Sequence, residues 1–351
     1  RHRPLGMGLA ASTPILLVGD RTFDWGDLRI AAWLWGDWQR VERRVGEGLA
    51  CLRFLEADDS ELEPALLETA AAEFRYDRNL VAAEEMTHWL EVRGLDVDEW
   101  LGFIERTVGR SVYAADLERI VAEYPVYEEE ITAAAECEAI CSGIILETVR
   151  KLAAAAAFAS RTATPPAGPT AALDAAILAR LAIPGLEPDA AVERAERIAG
   201  YRAAYDDLHA AAVTAENLAR IVQARHLVWM TVECRLASFA TDDAAREAIF
   251  CVRDEGEDLS AVARSAGVAE ERSTFVLEDL PPDLRERLLS AERGALVGPV
   301  EFRGRPTVAI VLEKRPPSLE EPAVLARAKT AALAAAIERE ARSGPRFLGE
   351  L

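Results

Sequence analysis

Glu85 and His88, in the run Glu85-Met86-Thr87-His88, set a carboxylate and an imidazole one helical turn apart. That spacing is part of the ligand set with which a four-helix bundle holds two iron ions. The full set takes two Glu-x-x-His motifs and a further glutamate from each of two other helices. Asp206-Asp207-Leu208-His209 is a distant analogue of the second motif. A lone Glu-x-x-His arises readily by chance, and His88 beside Trp89 suits an interfacial helix position equally well. A di-iron helical enzyme is therefore kept as an alternative, and the expected metal and cofactor content is none. Other chemistry lacks its residues. There is no Gly-rich phosphate loop after a strand, no Cys-x-x-Cys pair and no Gly-x-Ser-x-Gly, and His2, His88, His209 and His226 have no evident nucleophile partner. Cys137 and Cys141 share a helix face and read as small core residues.

The elements that must position any site are mostly helices. Ile15–Val18 is a short apolar run ended by Gly19-Asp20. Asp24 then offers an N-cap for a helix with Trp25, Leu28, Ala32 and Trp35 on one face. Met86, Trp89 and Leu90 make a stripe that Gly94 stops. Asp96-Val97-Asp98-Glu99 is a capping-box pattern launching a helix with Trp100, Phe103, Ile104 and Val108, and this hairpin is the expected core of a helical lobe. Trp33 and Trp35 point to different faces of their helix, so one of them is free to line a groove. The run Ala153–Ala157 reads as a close-packed helix, and Thr162–Pro169 as an exposed loop. From Trp229 the pattern changes to period two, with Met230, Val232, Cys234 and Leu236 on one side. Thr241 caps a helix, Gly267 stops another, Pro281-Pro282 opens a third, and Thr307–Leu312 is a β-branched run, so the expected order is β-α-α-α-β-β.

Composition narrows the partners. A net charge of −20 argues against nucleic acid or an anionic membrane, because phosphates need a basic face. Half the residues are apolar without a run of membrane-spanning length, and five cysteines form no paired framework, so a cytoplasmic location is expected. The opening Arg1–Gly8 carries no apolar stretch of export-signal type.

The stretch Gly294-Ala295-Leu296-Val297-Gly298-Pro299-Val300, after a helix and before the closing strand, resembles the "G-x-x-v-G-P-v" turn of a parvulin-type rotamase domain, and residues 229–315 follow that pattern throughout. The flanks, with the hairpin of residues 89–108 and a helix after Pro316-Pro317, are similar to SurA- and PrsA-type chaperones. A looser likeness is to PpiC-type proteins of peptide-maturation systems. The resemblance implies a mostly α fold with a SurA-like helical lobe, a small α+β parvulin-like domain and a C-terminal helix returning to the lobe. It divides the chain into a flexible N-terminus (1–13), a peptide-binding lobe (14–160), a Pro-rich linker (161–170), a helical connector (171–228), the parvulin-like domain (229–315) and the returning helix (316–351).

The departures from the family decide the expected function. Active parvulins carry histidines on the first and closing strands, where this chain has Glu233-Cys234-Arg235-Leu236 and Arg305-Pro306-Thr307-Val308-Ala309. Val268–Ser273 stands where the family has a glycine-rich loop. The resemblance then implies a protein that binds peptide without catalytic residues, its candidate contacts being Cys234, Leu284, Leu288 and Thr307. Its implied partners are an unfolded or ribosomal precursor peptide and a peptide-modifying enzyme. An active peptidyl-prolyl isomerase with substituted residues is the alternative.

Overall fold

The computed structural model describes residues 9–162, 188–342 and 345–348. The chain divides into two compact units, one running to Ala211 and resuming at Ala335, the other spanning Ala212–Ala334. The fold is mostly helical with a small antiparallel sheet component. No helix among the described residues is long and apolar enough to cross a membrane.

The larger unit begins with a hairpin of β1 (Pro14–Val18) and β2 (Arg21–Asp24), and β7 (Pro345–Phe347) pairs with the other edge of β1. Nine helices follow among the described residues: α1 (Trp25–Leu34), α2 (Asp37–Ala57), α3 (Pro64–Asp77), α4 (Ala83–Val92), α5 (Val97–Val112), α6 (Leu117–Glu123), α7 (Glu128–Cys141), α8 (Ile144–Thr162) and α9 (Pro188–Ala212). Asp24 and Asp27 cap α1 reciprocally, and Asp96 and Glu99 do the same for α5, each pair satisfying amides that the first turn leaves without partners. Met86, Leu90, Trp100, Phe103 and Ile104 are buried in the same core as Trp25, Leu28 and Ile30. Trp33 and Trp35 are both half-buried against it, with Trp35 edge-on to Tyr205. Ala153–Ala156 are at most 2% exposed, so the alanine run is close-packed on every side of its helix.

One expectation changes here. Residues 9–13, expected to be flexible, are tied to the fold: the Leu9 amide donates to Glu136, and Ala11 and Thr13 accept from Gly26 and Trp25; residues 1–8 lie outside the described residues. The expected linker lies largely outside the described residues as well, as does the connector up to 187. From 188 the connector contains α9 and a second helix over Ala215–Ala224, and Ala195, Ile198, Tyr201 and Ala204 bury one stripe of α9 in the core of the larger unit. An i, i+3, i+6 spacing explains the stripe, but the sequence alone does not name what covers it.

The smaller unit contains α10 (Ala215–Ala224), β3 (Thr231–Ser238), α11 (Asp242–Arg253), α12 (Leu259–Ser265), β4 (Glu270–Val276), α13 (Pro282–Ser290), β5 (Leu296–Phe302), β6 (Arg305–Arg315) and the first part of α14 (Pro322–Arg342). Its sheet is antiparallel in the order β4-β3-β6-β5. The observed order from Thr231 to Arg315 is therefore β-α-α-β-α-β-β. β4 fell where a loop was expected because Glu270-Glu271-Arg272-Ser273 is polar on both faces. It is an edge strand, paired on one side only with β3, and such edges tolerate charge where an inner strand would not. The returning helix was expected to dock on the N-terminal lobe through Val324, Leu325, Ala328, Ala332 and Leu333. Val324, Ala328 and Ala332 are instead buried with Leu218 of α10 and Trp229, and only from Ala335 does α14 belong with the larger unit. There Glu340, 3% exposed, accepts a 2.7 Å hydrogen bond from Arg161.

Candidate functional site

Alternation along β3 gives the four-stranded sheet two faces of different character. Val232, Cys234 and Leu236 point to one, where Leu284 and Leu288 of α13 cover them together with Val300, Ala309 and Val311. Of the expected contacts, Cys234 and Thr307 have no exposed surface, and Leu284 and Leu288 are 1% exposed. The structure brings Cys234, Leu284 and Leu288 together as predicted, but as closed core rather than as an open floor for a peptide. Burying each leucine there contributes about 1.5–3 kcal/mol, which explains both without a ligand.

The polar groups on that face are used internally. Thr307 sits opposite Ser238 in the register of β3 and β6; its hydroxyl shares a 2.9 Å hydrogen bond with the Ser238 hydroxyl and donates to the Arg305 carbonyl at 3.1 Å. Burial pushes the Cys234 thiol up to about 11, a rise that Lys314 opposes, so the sulfur stays protonated at neutral pH and is a poor nucleophile. Gly298 explains the geometry of the turn next to this face. Its φ is +136°, and a Cβ there would lie 2.8 Å from the Thr307 carbonyl oxygen, so only glycine fits.

Arg235 lies on the other face. Its guanidinium pairs with Glu270 of β4 and donates to Asp258 at 2.8 Å and to Ser260 at 2.7 Å, fastening the edge strand to the start of α12. These hydrogen bonds hold the carboxyls of Asp258 and Glu270 below their ordinary range. Glu233 and Arg272 form a second cross-strand pair at 2.6 Å. Together with Arg293, Gly294 and β6 they line a groove of about 600 Å³ whose charges nearly cancel. Sequence reasoning missed this network; the signal was the charged residues alternating with the apolar ones along β3.

The larger unit holds an apolar groove of similar size, about 600 Å³, built by α2, α6 and α7. Gly46 forms its floor beside Ile131, and Leu117 and Val121 of α6 line it, with Val121 40% exposed. Glu42, Glu47 and Glu118 face Arg43 around it, leaving an acidic surround.

The di-iron alternative does not gather its ligands. Glu85 accepts the Ala82 amide at 2.8 Å and so serves the cap of α4, Asp206 pairs with Arg202, and His88 and His209 are exposed. Among the described residues no group of three or more His, Cys, Asp or Glu side chains could hold a metal ion. Compared with known proteins, the chain matches no family model and has no significant match among curated proteins.

Proposed function

We propose that this protein binds an extended or unfolded polypeptide, such as a ribosomal precursor peptide during maturation, through a SurA-like helical lobe joined to a degenerate parvulin-like domain. The observation that carries this reading is the closure of the sheet site: Cys234 and Thr307, standing where the parvulin pattern has its histidines, are without exposed surface. A rotamase must lower a rotation barrier of ~18–20 kcal/mol at an amide it can reach. Here the hydroxyls bond to each other and to backbone, the thiol is protonated, and α13 covers the apolar residues. The turn of Gly294, Gly298 and Pro299 supports a scaffold of rotamase type that has lost its chemistry.

The apolar groove of α2, α6 and α7 supports peptide binding in the helical lobe. Its acidic surround favours an apolar segment with basic flanks, in a cytoplasmic protein that presents the client to a modifying enzyme. Fluorescence anisotropy with labelled unfolded peptides, alongside a protease-coupled isomerisation assay on X-Pro peptides, tests the reading. Binding is expected to weaken with salt, because exposed charges are screened beyond ~8–10 Å, and to weaken on Val121→Asp. Isomerisation at catalytic protein concentration, lost on Thr307→Val, would overturn the proposal in favour of an active isomerase. Failure to bind any peptide would overturn both.

A further inference from the structure

At the start of α1, side chains of β2, α1 and α9 enclose a second pocket in the larger unit, about 380 Å³ in volume. Its charged lining is Arg21, Arg194 and Arg197 against Asp24 and Asp27, leaving one positive charge in a chain whose net charge is −20. Both carboxylates are committed: Asp24 accepts from Arg194 Nη1 at 2.5 and 2.6 Å, Asp27 accepts from Arg197 Nη2 at 2.7 Å, and the two also cap α1. The cations are not. A guanidinium carries five N–H donors. Among the described residues Arg194 hydrogen-bonds only through Nη1, Arg197 only through Nη2, and Arg21 only through Nη1, which donates to the Tyr201 hydroxyl at 2.6 Å. Arg21 is exposed and forms no salt bridge among the described residues, while Tyr201, 2% exposed and edge-on to Phe23, anchors it from below.

We propose that this pocket binds a carboxylate anion, with Arg21 as its principal cation and the spare donors of Arg194 and Arg197 around it. One excess positive charge matches a monoanion, and planar guanidinium forks match the two oxygens of a carboxylate. A phosphate dianion would leave the pocket net negative. The carboxylate has two possible sources, the free C-terminus of a peptide or a small organic acid. The inference stands independently of the groove in α2, α6 and α7.

Isothermal titration of the full chain with acetyl-Ala-Ala-Leu, with its C-terminal amide, with benzoate and with inorganic phosphate tests it. The expected result is saturable binding of a carboxylate probe and none of the amide. Arg21→Gln should weaken the binding at least about tenfold, since a hydrogen bond to a charged group is worth about 1.5–3 kcal/mol. Tighter binding of the peptide acid assigns the site to chain termini, and tighter binding of benzoate assigns it to small acids. Arg21 is exposed and outside the aspartate pairs, so the variant should keep its circular dichroism. A shift of the Thr22 and Asp24 amide resonances on titration provides an independent location. No carboxylate binding at millimolar concentration, equal affinity in Arg21→Gln, or a preference for phosphate overturns the proposal.

Discussion

Glu138 accepts a 3.0 Å hydrogen bond from Arg44 Nε with no exposed surface of its own. Arg110 Nη1 lies 3.2 Å and Arg106 Nε 3.6 Å from the same carboxylate, so three cations from α2 and α5 converge on one anion of α7. Replacing Glu138 by Gln takes the paired carboxylate away from the buried Arg106 and from the half-buried Arg110. Removing one partner of a buried pair costs about 3–5 kcal/mol. Urea unfolding of the variant should show a loss of that size, whereas Arg44→Gln, whose side chain is 36% exposed, should cost less than about 1 kcal/mol. Equal and small losses would mean that the cluster contributes no net stability.

Thiol chemistry should separate the cysteines. Cys51, Cys137, Cys141 and Cys234 are buried, and Cys251 is the half-exposed one. Burial raises the Cys234 thiol to about 11 and pushes Cys51 upward, and the hydrogen bond with Cys137 together with burial raises Cys141, all beyond the barrier of access. Mild alkylation of the native chain, read by mass spectrometry, should label Cys251 and leave Cys234 unmodified until denaturant is added. Fast native labelling of Cys234 would mean that the sheet site opens, contrary to its packed geometry.

Acid should loosen the edge of the four-stranded sheet. Hydrogen bonds from Arg235 hold Asp258 and Glu270 below their ordinary values of 3.8 and 4.5. A carboxyl depressed in the folded state contributes stability that is complete above its unfolded value and is lost as pH falls toward the folded one. Thermal midpoints should therefore drop below about pH 4.5. The double variant Asp258→Asn, Glu270→Gln should start lower at neutral pH and fall less steeply. Asp27 works in the opposite sense: burial raises it, so its ionised form is penalised in the folded state, and that penalty is relieved as pH falls through its folded value. An acid limb unchanged in the double variant would refute the role given to Arg235.

Gly298→Ala should be costly although it adds one methyl group. The Cβ would press on the Thr307 carbonyl oxygen at a φ that L side chains rarely adopt, and backbone strain of this kind costs about 1–3 kcal/mol. Calorimetry would register a lowered melting temperature. Gly294→Ala, where the same added atom meets open space at φ +82°, should cost less.

What the sequence displayed was local chemistry. The Asp96–Glu99 box, the Thr241 cap and the alternation of β3 follow from short-range rules, and all three are present. Partners at long range were not legible. The stripe of α14 plainly needed cover, but nothing in Val324, Ala328 or Ala332 distinguishes α10 from the N-terminal lobe. β4 stayed hidden because an edge strand bonded on one side does not have to alternate. The closure of Cys234 and Thr307 was not legible, because for Cys234 it depends on how far α13 descends onto its face of the sheet and for Thr307 on its pairing with Ser238 across β3 and β6.

The alanine run of α8 has a thermodynamic consequence. A core of leucines or methionines must freeze rotamers as it packs, whereas alanine has none to lose. Ala153–Ala156 therefore let the middle of the larger unit become ordered without a side-chain entropy penalty. The attraction there is dispersion between atoms already fixed by the helix. The same economy leaves no slack: a larger side chain in that run has no alternative rotamer to retreat into, and the helix itself must move.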